Sequence, residues 1–422
     1  MSPASDKSDP EQLVENFFRH ESAGLVATLT RIFGFALVDV VEDMVQEALM
    51  QALRSWRIGG VPSNPAGWLH RVARNRVIDE LRRRKTQAEW DDDLALQVGS
   101  AEVVNLDASV IEDSQLRMIF ACCHPSLDRT SQLALTLKIL CGLGDHEIAR
   151  GLLLSKEAAR KRVQRAKRSL QLANISIDLP DSAALAERLD AVHEVLYLMF
   201  NEGYAASRGE AHVRIDLCEE AVRLCDMLCR SDCHTPATRA LLALQLFHAA
   251  RFASRVDASG DTVLLEDQDR SHWDRKMIGV AEYWLAKSAE GNEVSAYHLE
   301  AGIARIHTRS SSSAETNWQA ILEHYELLSQ LYPSPIRDVN RAVVLSRLGR
   351  EAEGLQLLDA ISDAVELKSY PPLHFAKADT LQRLGRHKDA LAQWQTALDL
   401  IETPQERQLI EARIQALASD TC

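Results

Sequence analysis

Apolar residues recur every three or four positions through most of the chain, the interval that lines them up on one face of an α-helix. The pattern predicts helices over residues 11–34, 39–56 and 66–85, with a loop before the last where Gly59, Gly60, Pro62, Asn64 and Pro65 cluster. A compact helical group follows over 114–173, and a larger one fills 182–422. The alternation of half-buried strands is missing, and residues 263–265 are the one short candidate. The expected fold is all-α in four parts: 11–85, 86–113, 114–175 and 182–422.

Composition sets the inner boundaries. Residues 86–113 hold eight Asp/Glu and no Lys/Arg, which reads as an acidic linker, and a second junction falls at 176–180. Near the C-terminus, LSRLGREAEGL at 345–355 returns as LQRLGRHKDAL at 381–391. The offset of 36 residues is close to the helix-turn-helix period of tetratricopeptide (TPR) repeats, and Gly349 and Gly385 would each close a first helix in the left-handed conformation.

Charge changes the picture most. The 422 residues are 46% hydrophobic, enough for real cores, and carry a net charge of -13. Yet residues 68–85 hold seven Lys/Arg against two Asp/Glu, and 156–168 hold seven against one. Together these islands carry +11, which leaves -24 for the rest. An acidic body repels nucleic acid, so the islands read as localised phosphate-binding surfaces. Eight cysteines do not make a disulfide scaffold, the start MSPASDKSDPEQ has no apolar signal core, and no run approaches a membrane span. The expected compartment is the cytoplasm.

The second island sits in GLGDHEIARGLLLSKEAARKRVQRAKRSL, which reads as helix, tight turn, helix. Asp145 can cap a helix through Leu152, and Ser155 can cap the next. Ala159, Val163, Ala166 and Leu170 share one stripe of that helix, while Glu157, Arg160, Lys161, Gln164, Arg165 and Arg168 face away. Such a helix can enter a major groove, Arg reading guanine, Gln reading adenine and the other cations holding phosphates. The turn places Leu153 where many such motifs have glycine.

Two further faces narrow the class. In DVVEDMVQEALMQALRSW, Val41, Val45, Ala48 and Ala52 share a buried stripe opposite Asp43, Gln46, Glu47, Met50 and Arg54. That acidic and amide face suits a basic protein surface, not DNA. NPAGWLHRVARNRVIDELRRRK puts Arg71, Arg74, Asn75 and Arg82 on one side of a helix beside the Gly/Pro/Asn loop, the pairing that DNA opening needs.

These segments, in this order over residues 15–172, resemble the extracytoplasmic-function (ECF) sigma factors of bacterial RNA polymerase. The resemblance implies that Asp43, Gln46 and Glu47 contact the beta-prime clamp helices of core RNA polymerase. It implies that Arg71, Arg74, Asn75 and Arg82 work at the -10 promoter element, with the loop 57–65 capturing a flipped base. Arg160, Lys161, Gln164, Arg165 and Arg168 would read the -35 element, with the beta flap as a further polymerase partner. LRMIFACCHPSL, LYLMFNEGYAAS, VRIDLCEEAVRLC, LLEDQDRSHWDR and SPIRDVNRAV resemble the subgroup with a long TPR-like C-terminal extension that helps control the sigma factor. A conventional helix-turn-helix regulator with a TPR-like sensor is the alternative.

No catalytic, metal or cofactor constellation is expected. Cys218, Cys225, Cys229 and Cys233 with His234 read as core before metal site, as do Cys122, Cys123 and His124. His146 and His193 lack the second histidine of a zinc-protease motif. Residues 201–204 read either as a ligand-facing corner of the extension or as a helix end. Residues 264–275 read either as an exposed acidic loop that grips the basic helices or as an ordinary one.

Overall fold

The computed structural model describes residues 10–87, 108–152, 154–175, 177–179, 182–206, 215–255, 263–368, 370–401 and a few positions from 407 to 417. Among them there is no strand, and 263–265 is irregular. Most of the acidic linker, 88–107, and the turn at Leu153 lie outside the described residues.

The chain packs as two units. The first takes the described residues up to Glu202 together with Glu219–Leu228, and the second takes Gly203–Cys218 and the chain from Cys229 onward. In the first, α1 (Pro10–Phe33) lies against α2 (Val38–Gly59), α4 (Ala108–Cys122) and α5 (Arg129–Cys141). The helix α3 (Pro65–Gln87) packs on α2, and α6 (Asp145–Gly151) and α5 carry α7 (Lys156–Leu172). The stripes foreseen from spacing are buried: Val41, Val45, Ala48 and Ala52 on α2, and Ala159, Val163, Ala166 and Leu170 on α7.

Next comes α8 (Ser182–Ala206), the expected start of the extension, which instead packs within the first unit up to Glu202. Its Arg188 donates to the Phe120 carbonyl at 3.3 Å, its Glu194 pairs with Arg129 at 2.8 Å, and its Met199 sulfur lies 3.2 Å from that of Cys141. The middle of α9 (Ile215–Arg230) joins it, Arg223 donating to Gln115 at 2.8 Å.

The second unit is a series of helix hairpins: α10 (Pro236–Ala249) with α11 (Arg275–Ser288), α12 (Ala296–Arg309) with α13 (Trp318–Leu331), α14 (Pro335–Arg347) with α15 (Glu351–Ile361), and α16 (Pro371–Arg383) with α17 (His387–Leu400). The last two realise the sequence repeat. Gly349 and Gly385 take φ of 74° and 72°, and the following amides, Arg350 and Arg386, bond back to Leu345 and Leu381 at 3.0 and 2.9 Å. That is a left-handed helix stop. The equivalent pairs Arg350 with Glu353 and Arg386 with Asp389 then secure the second helix of each hairpin at 2.6 and 2.7 Å. Gly354 sets the α14–α15 spacing, since a Cβ there would lie 2.9 Å from the Ala342 carbonyl.

Candidate functional site

Ser155 accepts a hydrogen bond from the Ala158 amide at 3.2 Å and so starts α7 as expected. Asp145 does not cap α6; it begins that helix, and Glu147 accepts from the Gly144 amide at 2.7 Å instead. On α7 the outward residues Arg160, Lys161, Gln164, Arg165 and Arg168 are all exposed. Lys161 pairs with Glu157 at 3.2 Å, whereas Arg160 and Arg168 meet no acidic group among the described residues. The cations flanking the buried stripe differ. Arg162 donates at 2.8 Å to Asp128, which also caps α5 through the Ser131 amide.

Lys167 is a correction to the reading of every remaining cation as a phosphate holder. It is 8% exposed, lies 2.9 Å from Asp39 and also pairs with Glu42, both on α2, while Gln171 donates to Asp39 at 2.9 Å. The two carboxylates hold the Lys167 ammonium above its ordinary range despite burial. Burial raises the Glu42 carboxyl, and Lys167 opposes that shift. The second basic island is thus latched to α2, the helix on which α3 and the first island pack.

On α3, Asn64 accepts from the Gly67 amide at 2.8 Å with Pro65 in the first turn, a helix start that fixes the end of the loop. Gly60, φ 79°, turns the chain out of α2, and Ile58 and Val61 stand in solvent at 92% and 65% exposure. Arg71, Asn75 and Arg82 are exposed and Arg74 half-buried. Arg83 and Arg84 both bind Glu80 at 2.8 Å, which drives that carboxyl down to about 2. Behind the loop, a cavity of about 40 Å³ touches Thr28 and His70, whose buried Oγ1 and Nε2 lack partners. Its room is that of one water, not a base.

The acidic face of α2 is exposed at Asp43, Gln46 and Glu47, but Glu47 is already bound to Arg76, which also donates to Gln51 at 2.8 Å. All three line a cleft of about 690 Å³, with Lys138 and Ile139 of α5 on its opposite wall.

Residues 19–87 match sigma-70 region 2, and residues 188–289 match a family of unknown function (DUF6596). Over 390 residues, 92% of each chain, the sequence is 36% identical to an uncharacterized protein of Rhizobium meliloti (strain 1021). This chain belongs to that protein's family. No solved structure matches it. The region 2 match supports a sigma-factor role in transcription initiation, with core RNA polymerase and promoter DNA as the partners. It takes in α2, α3 and most of α1, and so covers the acidic face, the loop and the first basic island.

Other candidates lie in or beside packed helices. Cys218, Cys225, Cys229 and Cys233 are buried in or beside α9, as are Cys122 and Cys123 at the end of α4, and His124 bonds with Ser126 in the turn at 2.8 Å. Among the described residues no three His/Cys/Asp/Glu side chains are grouped to hold a metal, and no helix is long and apolar enough to cross a membrane. Residues 264–275 are not a free acidic loop: Arg270 and Trp273 are buried, Asp274 caps α11, and Glu266 binds Arg347 of α14.

Proposed function

We propose that the chain is an ECF-type sigma factor that directs core RNA polymerase to promoters, helps melt them, and carries a TPR-like extension for its own regulation. The observation that carries this reading is the separation of faces in the first unit. A sigma-70 region 2 with an acidic surface on α2 stands in one chain with a capped helix, α7, whose outer face is exposed and mostly cationic. Asp43 and Gln46 dock on the beta-prime clamp helices, Glu47 joining them on release from Arg76. Arg71, Arg74, Asn75 and Arg82 hold the -10 element, and the loop with Ile58 and Val61 receives an unstacked base after widening the cavity behind it. Arg160, Lys161, Gln164, Arg165 and Arg168 read the -35 element, with the beta flap supporting α7. The protein acts by binding, without catalysis of its own, in the cytoplasm where polymerase works. Repeat-equivalent caps and ion pairs in α14–α17 support the TPR-like reading of the extension.

Geometry adds a step. The two promoter elements lie about 25 base pairs apart, roughly 85 Å of duplex, whereas a unit of this size is roughly 40 Å across. The latched unit cannot read both, so Lys167 leaves Asp39 and Glu42 on promoter binding. The 20 residues between α3 and α4 have a covalent reach of about 70 Å. Co-elution of the full chain with core polymerase tests the assignment. Asp43→Lys should weaken the complex without unfolding the chain. A chain that ignores core polymerase and binds duplex alone would be a conventional helix-turn-helix regulator.

A further inference from the structure

The second unit buries three arginines that neither promoter nor polymerase requires. Arg251, Arg255 and Arg270 are 6%, 5% and 5% exposed. Arg251 Nη2 donates to the Tyr204 hydroxyl at 2.6 Å, and Arg255 Nη1 donates to the Tyr204 carbonyl at 2.8 Å while its guanidinium stacks 3.5 Å from that ring. Arg270 Nη1 reaches the carbonyls of His307 and Ser310 at the end of α12, at 2.8 and 2.9 Å. Trp273, 2% exposed, lies 5.6 Å from the Arg251 guanidinium and 5.0 Å from that of Arg270.

Among the described residues, neither Arg251 nor Arg270 meets a carboxylate. Desolvated cations of one sign repel each other, and a buried charge without a counter-charge is strongly unfavourable. The neighbouring imidazoles report the same field: burial and the adjacent arginines push His307 down to about 3 and His248 well below its ordinary range.

Hydrogen bonding points the same way. Arg251 Nε, Trp273 Nε1 and His307 Nδ1 are buried and lack partners. Native interiors seldom leave such atoms unmet. The arginine and tryptophan nitrogens can only donate, so the missing group is an acceptor. Water could accept, but it would not offset the charge. A compact dianion does both, and guanidinium forks suit its geometry.

We propose that the cluster of Arg251, Arg255, Arg270 and Trp273 binds the phosphate group of a small molecule. All four side chains are at most 6% exposed, which leaves no surface for a docking protein segment. The site lies within the stretch matched by the family of unknown function, and it gives the extension a ligand class. It depends on none of the promoter or polymerase assignments.

The test is calorimetric melting of the full chain at constant ionic strength in chloride, inorganic phosphate, glycerol 3-phosphate or acetate. Phosphate or glycerol 3-phosphate should raise one transition saturably, by about 5 °C. A response to inorganic phosphate identifies the free anion as sufficient, and a response to glycerol 3-phosphate alone identifies a phosphomonoester. Arg251→Met should abolish the rise yet melt no lower than wild type in chloride, because it removes an unbalanced buried charge. No response to either phosphate compound, or an equal response to acetate, overturns the proposal. So does a variant that melts lower in chloride and still responds to phosphate. If the variant does not fold, the phosphorus NMR lines of phosphate and glycerol 3-phosphate with wild-type chain decide: broadening of either supports the site, and two unchanged lines overturn it.

Discussion

Lys167 and Arg165 stand two positions apart on α7 and have opposite fates. Helical geometry puts Arg165 on the outer face, whereas Lys167 and Arg162 flank the apolar stripe, each about 70° from its centre. Their substitutions should therefore separate stability from recognition. Lys167→Gln leaves Glu42 half-buried and without its cation, and should cost about 2 kcal/mol in urea unfolding. Because it weakens the closed arrangement, promoter binding by the holoenzyme should hold or rise. Arg165→Ala should change stability by less than about 0.5 kcal/mol while weakening binding by about 1 to 3 kcal/mol, selectively at one -35 base pair. Equal effects of the two variants on both measurements would contradict this division.

At the scale of elements, the glycines of the second unit supply an internal comparison. Gly354→Ala places a Cβ against the Ala342 carbonyl and 3.1 Å from Ser346 Oγ, so α15 must move off α14. Overpacking of this kind costs about 1 to 3 kcal/mol. Gly279, on α11, meets nothing within 4 Å, and Gly279→Ala should stabilise by about 0.5 to 1 kcal/mol through helix propensity alone. Opposite shifts in melting temperature are the expected result. The helices themselves were legible: spacing located the buried stripes of α2 and α7, Ser155 marked a helix start, and the repeated Leu-Gly-Arg marked two helix ends. Lys167 was not legible as a latch, because its partners Asp39 and Glu42 lie more than a hundred residues away and only packing unites them. Arg251 and Arg270 are illegible for the same reason: a sequence records a positive charge but not its burial or the lack of a counter-charge.

For the whole molecule, the division into units was the least legible feature. A composition change at 176–180 looked like the start of a separate domain, yet Val192, Val195, Leu196 and Met199 of α8 are buried in the first unit. A cut at that junction removes core, not only a regulator. His193, on the same helix and also buried, gives this unit an acid limit. Burial lowers its pKa from 6.5 to about 4, so its contribution is fully present above pH 6.5 and declines as the unfolded chain takes up the proton below that. Between pH 7 and pH 5, His193→Gln should lose about 2 kcal/mol less stability than wild type in urea titrations. A parallel loss in both proteins would exclude His193 as the cause.

The central claim is that the first unit, once opened, confers promoter selection on polymerase. Run-off transcription with the purified full chain and core RNA polymerase, over a library of double-stranded promoters, tests it most directly. The account predicts transcripts from a restricted set sharing -35 and -10 motifs, absent with core enzyme alone and shifted in -35 preference by Arg165→Ala. Specific binding to duplex by the chain alone, with no transcript when core enzyme is added, would contradict it.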